Sequence, residues 1–293
     1  MKTKTISKEL SRLHGKWMKS ITDKKVRALV EKDTIITGGA IASMLLTEDV
    51  NDYDVYFATA EAVAEVAEYY LKIMKKLDPS TETVRMRYYD DKDVQCTKKE
   101  FFKEKEGRAK IYIPSTGYVK LKKSKMFESI FVSGNAKKLT GKIQIVLRFW
   151  GNPPAIHKNY DFVHCMSYWT KKGLVIPEDS ALALLTKELK YQGSRYPLTS
   201  IIRTRKFIRK GWKITAGEYL KMAAQLQKID LFDPNVLEDQ LMGVDISYFT
   251  AFINKMKAFV ATGGEITTDY VIDLVDEIFD GEHDLIDGEE EDE

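Results

Sequence analysis

Residues 37–57 read TGGAIASMLLTEDVNDYDVYF. Two adjacent glycines precede an apolar helical run, and Asp52-Tyr53-Asp54 then sits inside a strand-like stretch. Alternation along a strand places Asp52 and Asp54 on the same face. Two carboxylates that close repel one another, and burying them unpaired is costly. A divalent cation removes both penalties, because hard cations take carboxylate oxygens directly. Gly38 and Gly39 stand where a backbone without side chains can approach a phosphate and offer it N–H groups. Phosphate-facing glycines beside metal-binding carboxylates imply nucleotide chemistry. The competing reading is a plain turn with two solvent-facing aspartates. Against it, Asp54 is flanked by Tyr53, Val55, Tyr56 and Phe57, an unusually apolar setting for an idle carboxylate.

The surrounding pattern predicts a mixed α+β region followed by an all-helical one. Residues 7–30 read as one helix, with Leu10, Leu13, Trp17, Ile21 and Val26 on one side. Thr34–Thr37 is a short strand, Gly39–Leu46 a helix, and Tyr53–Phe57 a second strand. Thr59 can cap a helix running to Lys76, which Asp78-Pro79 ends. Short strand-like pieces follow as far as Ser133, then strands at Lys142–Phe149 and Tyr160–Trp169. That last strand would alternate Asp161, Val163 and Cys165 against Phe162, His164 and Met166, making His164 a packed core residue rather than a base. Trp150, Trp169 and Trp212 read as packing residues. From Glu178 onward, five segments carry helical spacing. The expected division is a head at 1–175 with an insertion at about 77–141, a helical region at 176–280, and an acidic tail at 281–293.

Composition excludes several classes. Two cysteines and four scattered histidines give neither a disulfide framework nor transition-metal spacing. No apolar run reaches membrane-spanning length, and the charged N-terminus lacks a signal-peptide core, so a cytoplasmic setting without a membrane partner is expected. Residues 97–142 hold thirteen Lys/Arg against four Glu, including Lys120, Lys122, Lys123 and Lys125. That excess suits either a solvated hairpin or a surface that tracks phosphates. The twelve residues from Glu282 onward carry eight acids and no Lys or Arg, the composition of a solubilising disordered tail.

Three blocks together resemble the nucleotidyltransferase superfamily, whose fold is shared with DNA polymerase β. Within it they are most similar to the head and neck of the bacterial tRNA CCA-adding and poly(A) polymerase group. GGAIASMLL…NDYDVYF resembles that group's GGxVRDxLL…DxDI block. DFVHCMSY (Asp161–Tyr168) resembles its DFTINAMAY block, and PLTSIIRTRKFIRKGWKI (Pro197–Ile214) its neck motif. The resemblance implies a polymerase-β-like head, a mixed sheet with helices, and a helical C-terminal region. It implies that Asp52 and Asp54 hold two Mg²⁺ ions, that Gly38 and Gly39 face the triphosphate of an NTP, and that Asp161 lies near the ribose. A third metal carboxylate is the other role open to Asp161. Arg148, Arg203 and Arg205 are candidates for phosphate contacts, since guanidinium forks match phosphate oxygens.

The departures are specific. Ala42-Ser43 replaces the group's Arg-Asp, Gln144 stands near where an acidic residue is expected, and the base-reading Glu-Asp-x-x-Arg element is absent. The resemblance implies transfer of a nucleoside monophosphate from an NTP to a hydroxyl acceptor and, with the basic insertion, favours an RNA 3′ end such as tRNA. Nucleotidylation of a protein or small molecule, and a non-catalytic nucleic-acid-binding role, are the alternatives. Base preference and oligomeric state are not legible.

Overall fold

The computed structural model describes residues 1–112, 118–120, 129–133, 136–139, 141–241 and 247–279. The chain forms two compact units, Met1–Gln192 and Gly193–Glu293. The first is mixed α/β and the second helical, the α+β class expected from the sequence.

In the first unit the elements run α1 (Thr3–Ser20), α2 (Lys24–Asp33), β1 (Thr34–Thr37), α3 (Gly39–Leu46), β2 (Tyr53–Phe57) and α4 (Ala60–Leu77). Then come β3 (Arg85–Tyr89), β4 (Gln95–Cys96), α5 (Lys98–Phe101), β5 (Arg108–Tyr112), β6 (Tyr118–Lys120), β7 (Ser129–Ser133), β8 (Ala136–Leu139) and β9 (Ile143–Val146). The unit closes with α6 (Pro153–His157), β10 (Tyr168–Thr170), β11 (Gly173–Val175) and α7 (Glu178–Thr186). One mixed sheet has the order β11-β10-β1-β2-β9-β8-β7-β6, and β4-β3-β5 make a smaller antiparallel sheet.

The first 30 residues differ from the single helix expected. The chain turns at Ile21, and the Asp23 carboxylate accepts from the Lys25 and Val26 N–H groups to start α2. A side-chain cap of this kind begins a new helix where apolar periodicity alone would continue the old one. Strand β1, TIIT, is buried along its whole length because β2 and β10 flank it on both sides. One sheet face packs Val55 and Phe57 against Leu10 and Trp17 of α1 and Val63 and Val66 of α4. The Trp17 indole donates to the Tyr70 hydroxyl at 2.6 Å, tying α1 to α4 through a buried bond. Thr59 caps α4 by accepting from the Ala62 N–H, and its own hydroxyl donates to buried Asp33 at 2.7 Å.

The second unit comprises α8 (Pro197–Arg209), α9 (Ala216–Leu226), α10 (Pro234–Gln240), α11 (Ser247–Ala261) and α12 (Thr268–Phe279). Leu237, Leu241, Phe252, Ile253, Met256 and Leu274 form its core. Helix α7 belongs to the first unit, which ends at Gln192. No helix among the described residues is long and apolar enough to cross a membrane. Lys122, Lys123, Lys125 and the acidic tail lie outside the described residues.

Candidate active site

The site grows from the register of three adjacent strands. Strand β1 pairs antiparallel with β2 so that Thr37 lies opposite Asp54, and β2 pairs parallel with β9 so that Asp54 lies opposite Gln144. The residue after Thr37 is Gly38, with φ +93° and ψ −160°, a conformation essentially confined to glycine. This turn reverses the chain directly into α3. A Cβ placed on Gly38 would meet Asp54 Oδ2 at 2.8 Å and the Tyr160 hydroxyl at 3.4 Å. Glycine is required there because the carboxylate sits against the bare backbone. Gly39, by contrast, is exposed, and a Cβ on it would meet nothing within 4 Å. Helix α3 has no side-chain cap, and the N-terminus of an uncapped helix attracts an anion.

Asp54 is fixed from the other side as well. Its Oδ1 accepts from the Gln144 amide at 2.9 Å. Asp52 stands two residues before it and is half-buried. Alternation puts Asp52, Asp54 and Tyr56 on one face of β2 and Tyr53, Val55 and Phe57 on the other.

Behind Gly38 lies a buried polar cluster that sequence reading missed. Thr37, wholly buried, donates its hydroxyl to the Ser167 carbonyl at 2.8 Å and accepts from His157 Nε2 at 2.9 Å. With its one proton committed to the carbonyl, Thr37 requires the Nε2–H tautomer of His157. Burial pushes the His157 pKa down to about 4, so the ring is neutral at physiological pH. The Tyr160 ring centre lies 5.1 Å from that of His157 and 6.2 Å from that of Tyr56, both pairs tilted. Burial, reinforced by the negative charge of Asp54, drives the Tyr160 phenol well above its usual range. The Gly38 N–H donates to the Cys165 carbonyl at 3.1 Å. Strand β1, α6 and the turn before β10 thus hold the glycine from three sides.

A signal for α6 was present in the sequence. Asn152-Pro153-Pro154 is a helix start, with Asn152 Oδ1 accepting from the Ala155 N–H at 3.0 Å and proline in the first turn.

The remaining expected residues fall as follows. Asp161 is buried, and its Oδ1 accepts from the Phe162 N–H at 2.9 Å. The predicted Tyr160–Trp169 strand does not form: Val163–Cys165 is a 3₁₀ turn, and strand geometry begins at Tyr168. Asp161 and the Tyr191 neighbourhood instead pair locally, with Gln192 N–H donating to the Asp161 carbonyl and Val163 N–H to the Lys190 carbonyl. The alternation argument for His164 therefore lapses, yet His164 is buried at 2% exposure, as expected of a packed residue. Arg148 is also buried, its guanidinium 5.8 Å from the Phe149 ring. Arg203 and Arg205 lie on α8 of the second unit, Arg203 being exposed with its guanidinium 5.9 Å from Phe207. Among the described residues no group of three His, Cys, Asp or Glu converges on a metal position, so Asp161 does not complete a carboxylate triad with Asp52 and Asp54.

Residues 8–187, the span that contains this whole arrangement, match the family model described as Gabija anti-defense 2 family protein. The chain belongs to the Gabija anti-defense 2 family. A member of that family, Gabija anti-defense 2 of Bacillus phage SPbetaL7, is 23% identical over 223 residues, covering 75% of this chain and 44% of that protein. The chain thus spans less than half the length of that relative. Among solved structures it is similar to the Bacillus stearothermophilus CCA-adding enzyme in complex with CTP, at 13% identity and a TM-score of 0.38, covering 82% of this chain and 51% of that one. The Thermotoga maritima CCA-adding enzyme complexed with tRNA overlaps at 16% identity and a TM-score of 0.38, over 85% and 53% of the two chains. These enzymes come from the group whose motifs the sequence resembles.

Proposed function

We propose that this chain is a nucleotidyltransferase that moves a nucleoside monophosphate from an NTP to a hydroxyl acceptor. The observation that carries the proposal is the contact between Gly38 and Asp54: a carboxylate held 2.8 Å from where a Cβ would be, at the open N-terminus of α3. A carboxylate beside a helix N-terminus is favoured on its own, but a second carboxylate on the same face, Asp52, calls for a cation, and the uncapped helix end for an anion. A triphosphate with its cation answers that description. The donors suit Mg²⁺, which typically takes one or two protein carboxylates and completes its shell with water and substrate phosphates. Asp52 and Asp54 would hold it, and it would supply charge neutralisation at the transferred phosphoryl group. Gln144 offers an amide where a third carboxylate would stand, so these residues account for one ion more readily than for two.

In the reaction the acceptor oxygen bonds to the α-phosphorus as the α–β bridging P–O bond breaks. Pyrophosphate leaves, and the acceptor proton passes to solvent. The protein's part is positioning. The α3 N–H groups and Gly39 receive phosphate oxygens, Gln144 orients Asp54, and the Thr37–His157–Tyr160 cluster keeps Gly38 in its turn. Asp161 and Arg148 are proposed as nucleotide contacts on the sequence resemblance.

An RNA acceptor is favoured by the basic insertion. A protein acceptor is favoured instead by the anti-defense name of the phage relative, since modifying a defence component would disable it. The test is incubation with each α-labelled NTP and Mg²⁺, with total RNA or with lysate protein. Labelled RNA supports the first acceptor and labelled protein the second. Either label must fall at least about a hundredfold in Asp54→Asn. Absence of label from all four NTPs with both acceptors, while the wild-type chain binds Mg²⁺-NTP no better than Asp54→Asn, would overturn the proposal.

A further inference from the structure

Wound at about 100° per residue, helix α1 sorts its side chains onto two opposite faces. Ile6, Leu10, His14 and Trp17 fall on one side and are buried. Lys4, Lys8, Arg12, Lys16 and Lys19 fall within about a third of the circumference on the other side, and all five are exposed. Thr5, Ser11 and Gly15 fill the gaps, and Glu9 stands at the edge of the row. Successive cations are three or four residues apart, a step of about 5–6 Å, and the row runs about 22 Å from Lys4 to Lys19. The sequence located basicity in residues 97–142. This second basic surface is dispersed along the chain and gathers only when the helix is wound.

The row is costly to the helix that carries it. Lys4 and Lys8, Lys8 and Arg12, and Arg12 and Lys16 are like charges one turn apart, a spacing that destabilises a helix. The first turn holds no acid, and the N-cap position is Lys2 with no side-chain cap, so cations stand where the macrodipole favours anions. Arg12 is relieved by Glu9 at 2.7 Å. Lys4, Lys8, Lys16 and Lys19 make no ion pair or side-chain hydrogen bond among the described residues. Elsewhere on the same unit Lys25, Lys98 and Lys171 each reach a carboxylate. The charge of the α1 row is left for something outside the chain.

We propose that this face binds the phosphate backbone of single-stranded RNA. Lysines are point charges on flexible stems and take phosphates without reading bases. A straight row suits a strand that can extend along it, whereas a duplex backbone winds away. An anionic bilayer is the other polyanion of this scale. A helix that lies on a bilayer buries its apolar face there, and that face of α1 is already in the protein core. With no aromatic ring on the row, affinity comes from counterion release and not from stacking, so binding falls steeply with salt and varies little with base sequence. The choice of RNA over DNA rests on the acceptor reading above; the binding itself does not need transfer to occur.

The test is fluorescence anisotropy of the full chain with labelled single-stranded RNA of mixed sequence, about twelve nucleotides long, over a salt series. No NTP is present, so the face is read even if the chain transfers nothing. In Lys4→Glu/Lys8→Glu, affinity at about 100 mM salt should fall at least about tenfold, and the log–log salt slope should lose about 1.4 as two phosphate contacts go. That variant should melt no earlier than wild type, because an acidic side chain in the first turn complements the dipole. Lys8→Gln/Lys16→Gln removes charge without reversing it and should lose the same slope. The control Lys72→Glu/Lys76→Glu makes the first change again, one turn apart on exposed residues of α4, and should stay within about threefold of wild type. Further arms use single-stranded DNA, duplex RNA and vesicles one-third phosphatidylserine. Unchanged affinity in Lys4→Glu/Lys8→Glu, an equal fall in the control, tighter binding of either other nucleic acid, or vesicle binding that the RNA does not displace would each overturn the proposal.

Discussion

Replacing Gly38 and Gly39 one at a time separates the geometry of the turn from its use. In Gly38→Ala the new methyl would lie 2.8 Å from Asp54 Oδ2 and 3.4 Å from the Tyr160 hydroxyl. Neither neighbour can yield cheaply. Asp54 is tied to Gln144 at 2.9 Å, and Tyr160 is packed between His157 and Tyr56. The backbone also resists, because φ +93° with ψ −160° is a region alanine avoids at a cost of about 1–3 kcal/mol. Strain and displacement together give roughly 2–4 kcal/mol of lost stability. For a unit of this size that is a fall in melting temperature of roughly 5–12 °C. Gly39→Ala faces no contact within 4 Å and takes a helical conformation in the first turn of α3. Its stability should hold or rise by up to about 1 kcal/mol, since alanine favours helix over glycine. Both variants should lose binding of a fluorescent Mg²⁺-NTP analogue in a competition assay, Gly38→Ala because Asp54 is displaced and Gly39→Ala because the methyl rims the helix end. Wild-type melting and binding in Gly38→Ala would show that Asp54 does not crowd the turn. Loss of stability without loss of NTP binding would show that the turn is structural only.

His157 gives a pH dependence of known sign. Its folded pKa is about 4 against 6.5 unfolded, so the unfolded chain takes up a proton first as pH falls. Its contribution is fully present above pH 6.5 and is lost between 6.5 and 4, by at most about 3 kcal/mol and less where water reaches the ring. Urea midpoints at pH 7 and 4.5 should therefore fall further in wild type than in His157→Gln, whose neutral amide can still donate to Thr37; parallel falls would refute this. Gln144→Glu adds a charge beside Asp54 and should lower stability by about 1–2 kcal/mol in chelator, with Mg²⁺ restoring more of the melting temperature than it does in wild type. Thr59→Ala removes the α4 cap and the bond to Asp33, and should cost about 1–2 kcal/mol in denaturant unfolding without changing nucleotide binding.

The parts of the site legible in the sequence were those carried by local pattern. Strands β1 and β2 and helix α3 have the boundaries expected, because a glycine pair, a capping change and two short apolar runs fix them within about twenty residues. Asp54 beside Gly38 follows from the pairing of two strands that flank one helix. What was not legible depends on contacts between residues more than a hundred positions apart. Thr37 meets His157 and Ser167 only once β10 has paired with β1, and no periodicity announces that meeting. The DFVHCMSY segment misled for a related reason. Its apolar alternation suits a strand, but only Phe162 makes an antiparallel bridge, to Tyr191, before the N–H groups of Cys165 and Met166 turn back to Phe162 and Val163 in a 3₁₀ segment. Local pattern lost to tertiary hydrogen bonding.

Gln144 is where the chemistry of the site departs most from a three-carboxylate metal centre. A carboxylate opposite Asp54 in the β2–β9 register would face it directly, and two adjacent charges would need a resident cation to be stable. The amide leaves one charge fewer for a cation to offset. It donates to Asp54 at 2.9 Å and keeps the carboxylate oriented. Under the proposed function, the site would stand folded without metal and acquire its cation together with the nucleotide, whose phosphates would supply the missing oxygens. On that logic Mg²⁺ affinity should be weak alone and strong with NTP, a coupling that calorimetric titration of Mg²⁺ with and without a non-hydrolysable NTP reads directly. Tight binding of Mg²⁺ in the absence of nucleotide would mean that other donors complete the site, and that Gln144 is not what makes it wait for substrate.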